Sequence, residues 1–146
     1  TEGEERVNGF REVLKNCVSN FEGLCDDLIM EFEKIPATPG RKKEINKLKK
    51  KIHNIINFSE LLDKFFGILL FKDLAGGDIN FLNICFNRRH LYEHKSGVVD
   101  ERYLANTQDS VRLGQLLGES EDSVGKLIHL TKIIGMNLYH GYCSVT

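Results

Sequence analysis

The sequence predicts an all-α fold, an antiparallel bundle of four main helices plus a short helix. Apolar residues recur every three to four positions over long stretches, and proline, glycine and capping residues separate these stretches. No repeat or low-complexity segment interrupts the pattern. With 146 residues the chain has the length of one domain. We therefore expect residues 1–146 to form a single helical domain, and a first residue other than Met is compatible with excision from a longer protein.

The first half of the chain carries two of these apolar stripes. The first covers residues 7–35 and predicts one long amphipathic helix. Pro36 and Pro39 interrupt it, and Thr38 is expected to cap a second helix that has Pro39 at its first position. The second stripe covers residues 45–69. Two such helices joined by a short proline turn predict an antiparallel hairpin.

The second half predicts a third helix, a short helix and a last long helix. Asp78 is the expected N-cap of the third helix, which continues to a turn at 95–97. A short helical piece is expected over residues 100–106. Residues 107–119 are polar and broken by glycine, which favours an extended path against the core. The acidic residues and serine at 120–122 then begin the last helix.

Composition and charge exclude several classes of protein. The net charge is −1, so no overall field favours a nucleic acid or a membrane surface. No apolar run approaches the roughly 18 residues that span a bilayer, and the acidic N-terminus is unlike a signal peptide. The four cysteines form no Cys-x-x-Cys pair and are expected to be free thiols in a reducing compartment. We therefore predict a cytoplasmic protein with no membrane partner and no cofactor.

The charge is nevertheless uneven, because residues 41–51 carry seven basic side chains and one acidic one. One interpretation is a solvated helix face on which lysine stems cover apolar surface. The alternative is a surface that contacts a phosphate backbone. In that case the candidate RNA-binding residues are Lys42, Lys43, Lys49 and Lys50, together with Lys95 beside the end of the third helix.

The third predicted helix ends in a dense group of titratable residues at 88–94. The segment His90-Leu91-Tyr92-Glu93-His94 has the His-x-x-Glu-His spacing of an inverted zinc-peptidase motif, in which the histidines hold Zn²⁺ and the glutamate is the general base. That chemistry needs a third ligand on a separate helix. Glu101, Glu119 and Glu121 all fall in or beside predicted turns or helix starts. We therefore predict no metal site.

A second interpretation pairs Arg89 with His94. Arginine offers a fixed fork of donors to a phosphate, and histidine titrates near neutral pH, so the two suit phosphodiester cleavage. Five residues at 100° each place them about 140° apart on a straight helix, which would prevent both from facing one site. They could converge at a fraying helix end, or across a symmetric dimer in which two copies of the helix form a composite groove.

The motif Arg89-His90-x-x-x-His94, continuing through Gly97-Val98-Val99-Asp100 to Tyr103-Leu104, resembles the HEPN superfamily. It is most similar to prokaryotic HEPN domains in which the motif continues as His-x-x-Gly-(Val or Ile)-Val-Asp-x-x-Tyr-Leu. The resemblance is one of sequence motif over residues 79–105. Over the rest of the chain it is a resemblance in the predicted arrangement of helices. It implies an HEPN-like helical bundle.

The resemblance also implies a function, that of a metal-independent endoribonuclease of antiviral defence or toxin–antitoxin type. Such a protein acts as a homodimer whose two motifs face one RNA groove. His94 would be the general base on the ribose 2′-hydroxyl or the general acid on the leaving 5′-oxygen. Arg89 would stabilise the phosphorane, and His90 would orient these two residues. Arg88 is either a supporting phosphate contact or a solvated helix-end arginine.

The alternative function is a non-catalytic HEPN module for dimerisation, or for binding RNA or a nucleotide, inside a larger defence protein. Fused effector or sensor domains and an antitoxin are the further partners that the resemblance implies. The sequence departs from one branch of the family, because Lys95 and Ser96 follow the histidine where that branch has a tyrosine modified by a partner nucleotidyltransferase. Tyr92 and Tyr103 are predicted to be packing residues.

Overall fold

The structure, a computed structural model, describes residues 2–35 and 39–145 and contains six helices there. The helices are α1 (Glu2–Glu33), α2 (Arg41–Lys51), α3 (Ile55–Phe66), α4 (Gly76–His94), α5 (Glu101–Asn106) and α6 (Glu121–Val145). No β-strand occurs in the described ranges, where the only sheet-like pairing is an isolated antiparallel bridge between Val98 and Leu116. The predicted all-α class is therefore confirmed.

The chain divides into two compact units. Thr1–Ser19 and Ala75–Thr131 form one of them, which we call the motif unit because it contains residues 88–94. Asn20–Leu74 and Lys132–Thr146 form the other, which we call the basic unit because it contains α2. Helices α1 and α6 contribute residues to both units.

The prediction of one continuous helix over residues 45–69 is wrong, because α2 and α3 lie there with a break between them. The side chain of Asn54 accepts a hydrogen bond from the backbone N–H of Asn57 and so caps a new helix. The break could not be predicted from the sequence, because the apolar periodicity continues across it. Helix α3 then ends before Gly67, so Leu69 lies beyond the helix and is exposed.

Two predicted helix starts are also displaced. Helix α2 begins directly after Gly40, whose φ of 91° is a left-handed conformation that glycine adopts easily, so Pro39 is not the first helical residue. Thr38, the predicted cap, lies outside the described residues. Helix α4 begins at Gly76, and Asp78 therefore lies in its first turn rather than at the N-cap. Its negative charge is still favourable there, because it faces the positive end of the helix dipole.

The core of the motif unit lies beneath the end of α4. It includes a cluster of buried residues, Leu91, Val99, Tyr103 and Leu117. The segment 107–119 reaches this cluster through Leu117, whereas Leu113 and Leu116 are exposed. The predicted extended segment thus covers the core with only part of its apolar side chains. In the described residues no helix is long and apolar enough to cross a membrane.

Candidate functional site

Helix α4 places Arg89 and His94 beside one carboxylate. The helix remains regular through His94, and the backbone N–H of Lys95 donates to Leu91 at 2.8 Å to cap it. The Oε2 atom of Glu93 lies 3.4 Å from Arg89 Nη1 and 4.0 Å from His94 Nε2. Both side chains therefore lie within 4.0 Å of one carboxylate oxygen, and their convergence on one phosphate stays a prediction. Arginine is long enough to span one helical turn, and Glu93 occupies the place where the two side chains meet.

The two members of the pair differ in their access to solvent. The side chain of His94 is 60% exposed, whereas that of Arg89 is 14% exposed. A ligand can therefore contact the imidazole directly, while the Arg89 side chain is largely covered. The Glu93 contact also orients that guanidinium, because a carboxylate four residues farther along a helix lies on the same face as the arginine.

His90 lies next to His94, with ring centroids 4.8 Å apart and ring planes inclined at 52°. The pKa of His90 is lowered by its partial burial, then by the positive charges of Arg102 and His94. The lowered pKa favours a neutral imidazole near pH 7, which can accept a proton or a hydrogen bond. The end of α4 therefore presents two adjacent imidazoles of different exposure.

Arg88 points to a different set of partners, although it is the neighbour of Arg89 in sequence. Its Nη1 donates to Glu119 at 2.9 Å, its Nη2 to Asp109 at 2.7 Å and its Nε to the hydroxyl of Tyr103 at 3.1 Å. The hydroxyl of Tyr92 donates to Glu119, and that of Tyr103 donates to Asp109. The guanidinium is 17% exposed and lies between two carboxylates.

This network makes Arg88 a structural residue. Burial alone would lower its pKa, but the hydrogen bond to Asp109 and the charge of Glu119 raise the pKa above its usual value. Neither sequence-based alternative, a solvated helix-end arginine or a phosphate contact, describes a guanidinium that already donates to two acidic side chains. Sequence spacing could not identify Asp109 and Glu119, which lie 21 and 31 residues from Arg88 along the chain.

The tyrosines are also part of this network. Tyr103 is almost completely buried, and Tyr92 is half-buried against the same cluster. Burial, followed by the hydrogen bond to a carboxylate, raises the pKa of each hydroxyl. Both tyrosines therefore stay protonated near neutral pH and act as hydrogen-bond donors within the core.

The turn after His94 explains the glycine that follows the motif. Gly97 has φ of 80°, and its backbone N–H donates to Leu91 at 2.9 Å. A Cβ atom at this position would lie 2.0 Å from Nη2 of Arg11. That nitrogen donates to the backbone carbonyls of Ser96 at 3.3 Å and Leu117 at 2.9 Å. Only glycine satisfies both the backbone conformation and the approach of the arginine.

We expect Gly97→Ala to lower the free energy of unfolding by roughly 2–4 kcal/mol. A left-handed alanine costs about 1–2 kcal/mol, and displacing a charged donor from its carbonyl acceptors costs a similar amount again. Urea denaturation measures the change as a shift of the midpoint at constant slope. Gly125→Ala on α6 is the matched control, because a Cβ atom there meets nothing within 4 Å. Equal midpoints for the two variants would contradict this account.

The rest of the segment that follows the motif is explained by packing. Val99 is buried in the core cluster. Asp100 caps α5, since its Oδ1 accepts from the backbone N–H of Tyr103 at 2.8 Å. Val99 and Tyr103 thus pack in the core beneath α4, and Asp100 caps α5.

The candidate RNA-binding lysines belong to both units. Lys42, Lys43, Lys49 and Lys50 are exposed on α2 in the basic unit. Lys49 forms an ion pair with Glu33, and the opposite face of α2 buries Ile45 and Leu48. Lys95 is exposed in the motif unit, next to His94. These positions fit the solvated-face interpretation and leave contact with a phosphate backbone as a prediction.

The metal interpretation of His90 and His94 requires a third ligand. Within residues 2–35 and 39–145, no group of three or more His, Cys, Asp or Glu side chains is placed to hold a metal ion. Glu93 instead lies beside Arg89. The cysteines Cys17, Cys25, Cys85 and Cys143 are free thiols.

Comparison with known proteins adds no assignment to this site. No family model matches the chain, no curated protein matches it, and no solved structure matches it. The function of the chain is therefore inferred from the residues at the end of α4 and from the resemblance of their motif.

Proposed function

We propose that this chain is a metal-independent endoribonuclease of the HEPN type, acting in prokaryotic defence or as the toxin of a toxin–antitoxin pair. The observation that carries the proposal is the meeting of Arg89, Glu93 and His94 at the end of α4, where His94 is exposed. An exposed imidazole beside an oriented guanidinium suits attack on a phosphodiester.

The proposed reaction uses the ribose 2′-hydroxyl of the RNA as the nucleophile. A base removes its proton while the 2′-oxygen forms a bond to phosphorus. The bond from phosphorus to the 5′-oxygen then breaks, and an acid protonates that oxygen. His94 makes one of these proton transfers and water makes the other, while Arg89 stabilises the charge on the phosphorane. The products are a 2′,3′-cyclic phosphate and a 5′-hydroxyl.

The positions of Glu93 and His90 refine this proposal. A carboxylate would repel a phosphate, so Glu93 acts by orienting Arg89 rather than by touching the RNA. His90 is next to His94, and its lowered pKa keeps it neutral, so it supports the reaction as a hydrogen-bond partner near neutral pH.

The proposal retains a homodimer whose two motifs face one RNA. Because Arg89 and His94 meet within one helix, each protomer would carry a whole motif. The second protomer would then extend the groove for RNA and contribute another copy of the motif, rather than a missing half of one.

Cleavage of a labelled single-stranded RNA by the purified chain is expected to continue in excess EDTA and to yield 2′,3′-cyclic phosphate ends. The physical reason is that the proposed proton transfers and charge stabilisation come from His94, Arg89 and water, so no metal ion is needed. Gel analysis of the products, with and without EDTA, provides the measurement. Activity that is lost on chelation would refute the proposal and revive the metal interpretation. Dimers that cleave no RNA would favour the non-catalytic binding module.

A further inference from the structure

Arg11 of α1 reaches the turn that follows His94. Its Nη2 atom donates to the backbone carbonyl of Ser96 at 3.3 Å and to that of Leu117 at 2.9 Å. The central carbon of its guanidinium lies over the ring of Tyr92, 4.7 Å from the ring centroid. All of these residues belong to the motif unit. One guanidinium therefore joins α1 to the end of α4 and to the segment that covers the core.

Arg11 binds the backbone rather than an acidic side chain. Within residues 2–35 and 39–145, its hydrogen bonds go to two backbone carbonyls, and its Nε atom is buried without a hydrogen-bond partner. Arg88, by contrast, lies between two carboxylates. Hydrogen bonds from a charged donor are roughly twice as strong as neutral ones, so Arg11 restrains the path of the chain at these carbonyls.

The turn that Arg11 holds contains backbone strain. Ser96 has φ of 53° and Gly97 has φ of 80°, so two successive residues are left-handed. Glycine adopts this conformation easily, whereas a Cβ atom makes it unfavourable. The Ser96 side chain is exposed and forms no hydrogen bond in the described part of the chain. The hydrogen bond from Arg11 to the Ser96 carbonyl therefore helps to offset the strain from outside the turn.

The same turn ends α4 at His94. The backbone N–H groups of Lys95 and Gly97 both donate to the carbonyl of Leu91, at 2.8 Å and 2.9 Å. The bond from Gly97 requires the chain to fold back on the helix, and a left-handed residue at a helix end has this effect. The conformation of Ser96 therefore determines how α4 ends, and with it the place of His94.

We infer that Arg11 is a positioning residue of this site, which holds the strained turn at Ser96 and so fixes the place of the His94 imidazole relative to Arg89. The inference rests on the proposed function and adds to the same site a residue from a distant part of the chain. Arg11 does not touch the RNA in this arrangement. It acts through the backbone at the end of α4.

The first test measures cleavage of a labelled single-stranded RNA by the Arg11→Met protein. We expect kcat to fall about 10²-fold, because a small displacement of a catalytic group costs that much, while KM stays unchanged. Arg6→Met is the matched control, because Arg6 is an exposed arginine of the same helix and unit, and this protein should keep the wild-type kcat. Equal kcat values for the two variants would overturn the inference. Arg11→Gln keeps a neutral donor, should lose about tenfold in kcat, and gives the same comparison if Arg11→Met does not fold.

A second substitution separates positioning from a general loss of stability. Ser96→Gly in the Arg11→Met protein removes the strain that Arg11 offsets, so it should recover about tenfold of the lost kcat. Asp73→Gly in the same background is the control. Asp73 is also left-handed, with φ of 65°, but it lies in the basic unit, so glycine there should recover none of the lost kcat. Equal recovery by the two substitutions, or recovery by neither, would contradict the role of the turn.

NMR answers the same question even in a chain that cleaves no RNA. The amide hydrogen of Gly97 should exchange faster in the Arg11→Met protein, and the ring signals of His94 should shift, whereas Arg6→Met should change neither. These changes in a chain without cleavage would support the positioning of His94 by Arg11 and refute the nuclease. Unchanged Gly97 and His94 signals in a chain that cleaves RNA would overturn the inference and leave the nuclease in place.

Discussion

Replacing His94 with alanine is expected to lower the rate of RNA cleavage by about 10²–10⁴-fold, the usual contribution of a general acid or base. The fold should survive, because the His94 side chain is 60% exposed at the last residue of α4. Single-turnover cleavage of a labelled RNA measures the rate, and urea denaturation measures the free energy of unfolding. The rate should collapse while the denaturation midpoint stays unchanged.

His129→Ala is the control for this result. His129 is also exposed on a helix of the motif unit, so both variants lose one surface imidazole from the same unit. The His129→Ala protein, purified in parallel, should cleave RNA at the wild-type rate, which also tests for a contaminating nuclease. Similar activity in the His94→Ala and wild-type proteins would contradict the assigned role of His94.

Arg88→Met is expected to cause the largest loss of stability, roughly 3–5 kcal/mol, the range for removing one partner of a buried ion pair. The variant leaves the carboxylate of Glu119, of which 2% is exposed, and that of Asp109 without their arginine. Its midpoint in urea should fall accordingly, although the proposed catalytic residues Arg89 and His94 are unchanged in this variant. Arg112→Met, at an exposed arginine, should leave the midpoint nearly unchanged.

A second substitution separates loss of charge pairing from loss of packing. Glu119→Gln in the Arg88→Met protein removes one of the two uncompensated charges, so it should recover part of the lost stability. If the double variant were no more stable than Arg88→Met, the stability lost in Arg88→Met would come from packing and not from uncompensated charge.

Acid should weaken the same network in the wild-type protein. Burial on its own would raise the pKa of Asp109, but the hydrogen bonds from Tyr103 and Arg88 hold it below the usual value. A carboxyl with a depressed folded-state pKa contributes stability that is fully present above its unfolded pKa of about 3.9 and is lost as the pH falls through the folded value. The Arg88→Met protein should show a smaller loss of stability on acidification.

The helical class of this protein could be predicted because it depends on the spacing of apolar residues that are near one another in the sequence. Apolar spacing marked the stripes, and the short helix expected over residues 100–106 corresponds to α5 at Glu101–Asn106. The break between α2 and α3 was not visible, because the apolar spacing continues across it. It depends on the side chain of Asn54 bonding to a backbone N–H, which competes with a continuous helix.

The candidate site, like the fold, has one part that the sequence predicted and another that it did not. By itself, the sequence determined that Arg89, His90 and His94 lie at the end of one helix, since the helical pattern is a local property. The approach of Glu93 to Arg89 was also available from their spacing of four residues, because such side chains lie on the same face of a helix.

Only the tertiary structure decided that Arg88 is a structural residue. Arg88 and Arg89 are adjacent and chemically identical, yet Arg88 lies between Asp109 and Glu119, which approach it from distant parts of the chain. The packing of α5 against α4 completes this network, since the hydroxyl of Tyr103 accepts a hydrogen bond from Arg88. The physical reason is that long-range hydrogen bonds and charges depend on how helices pack, whereas the sequence pattern reports only which face of each helix is apolar.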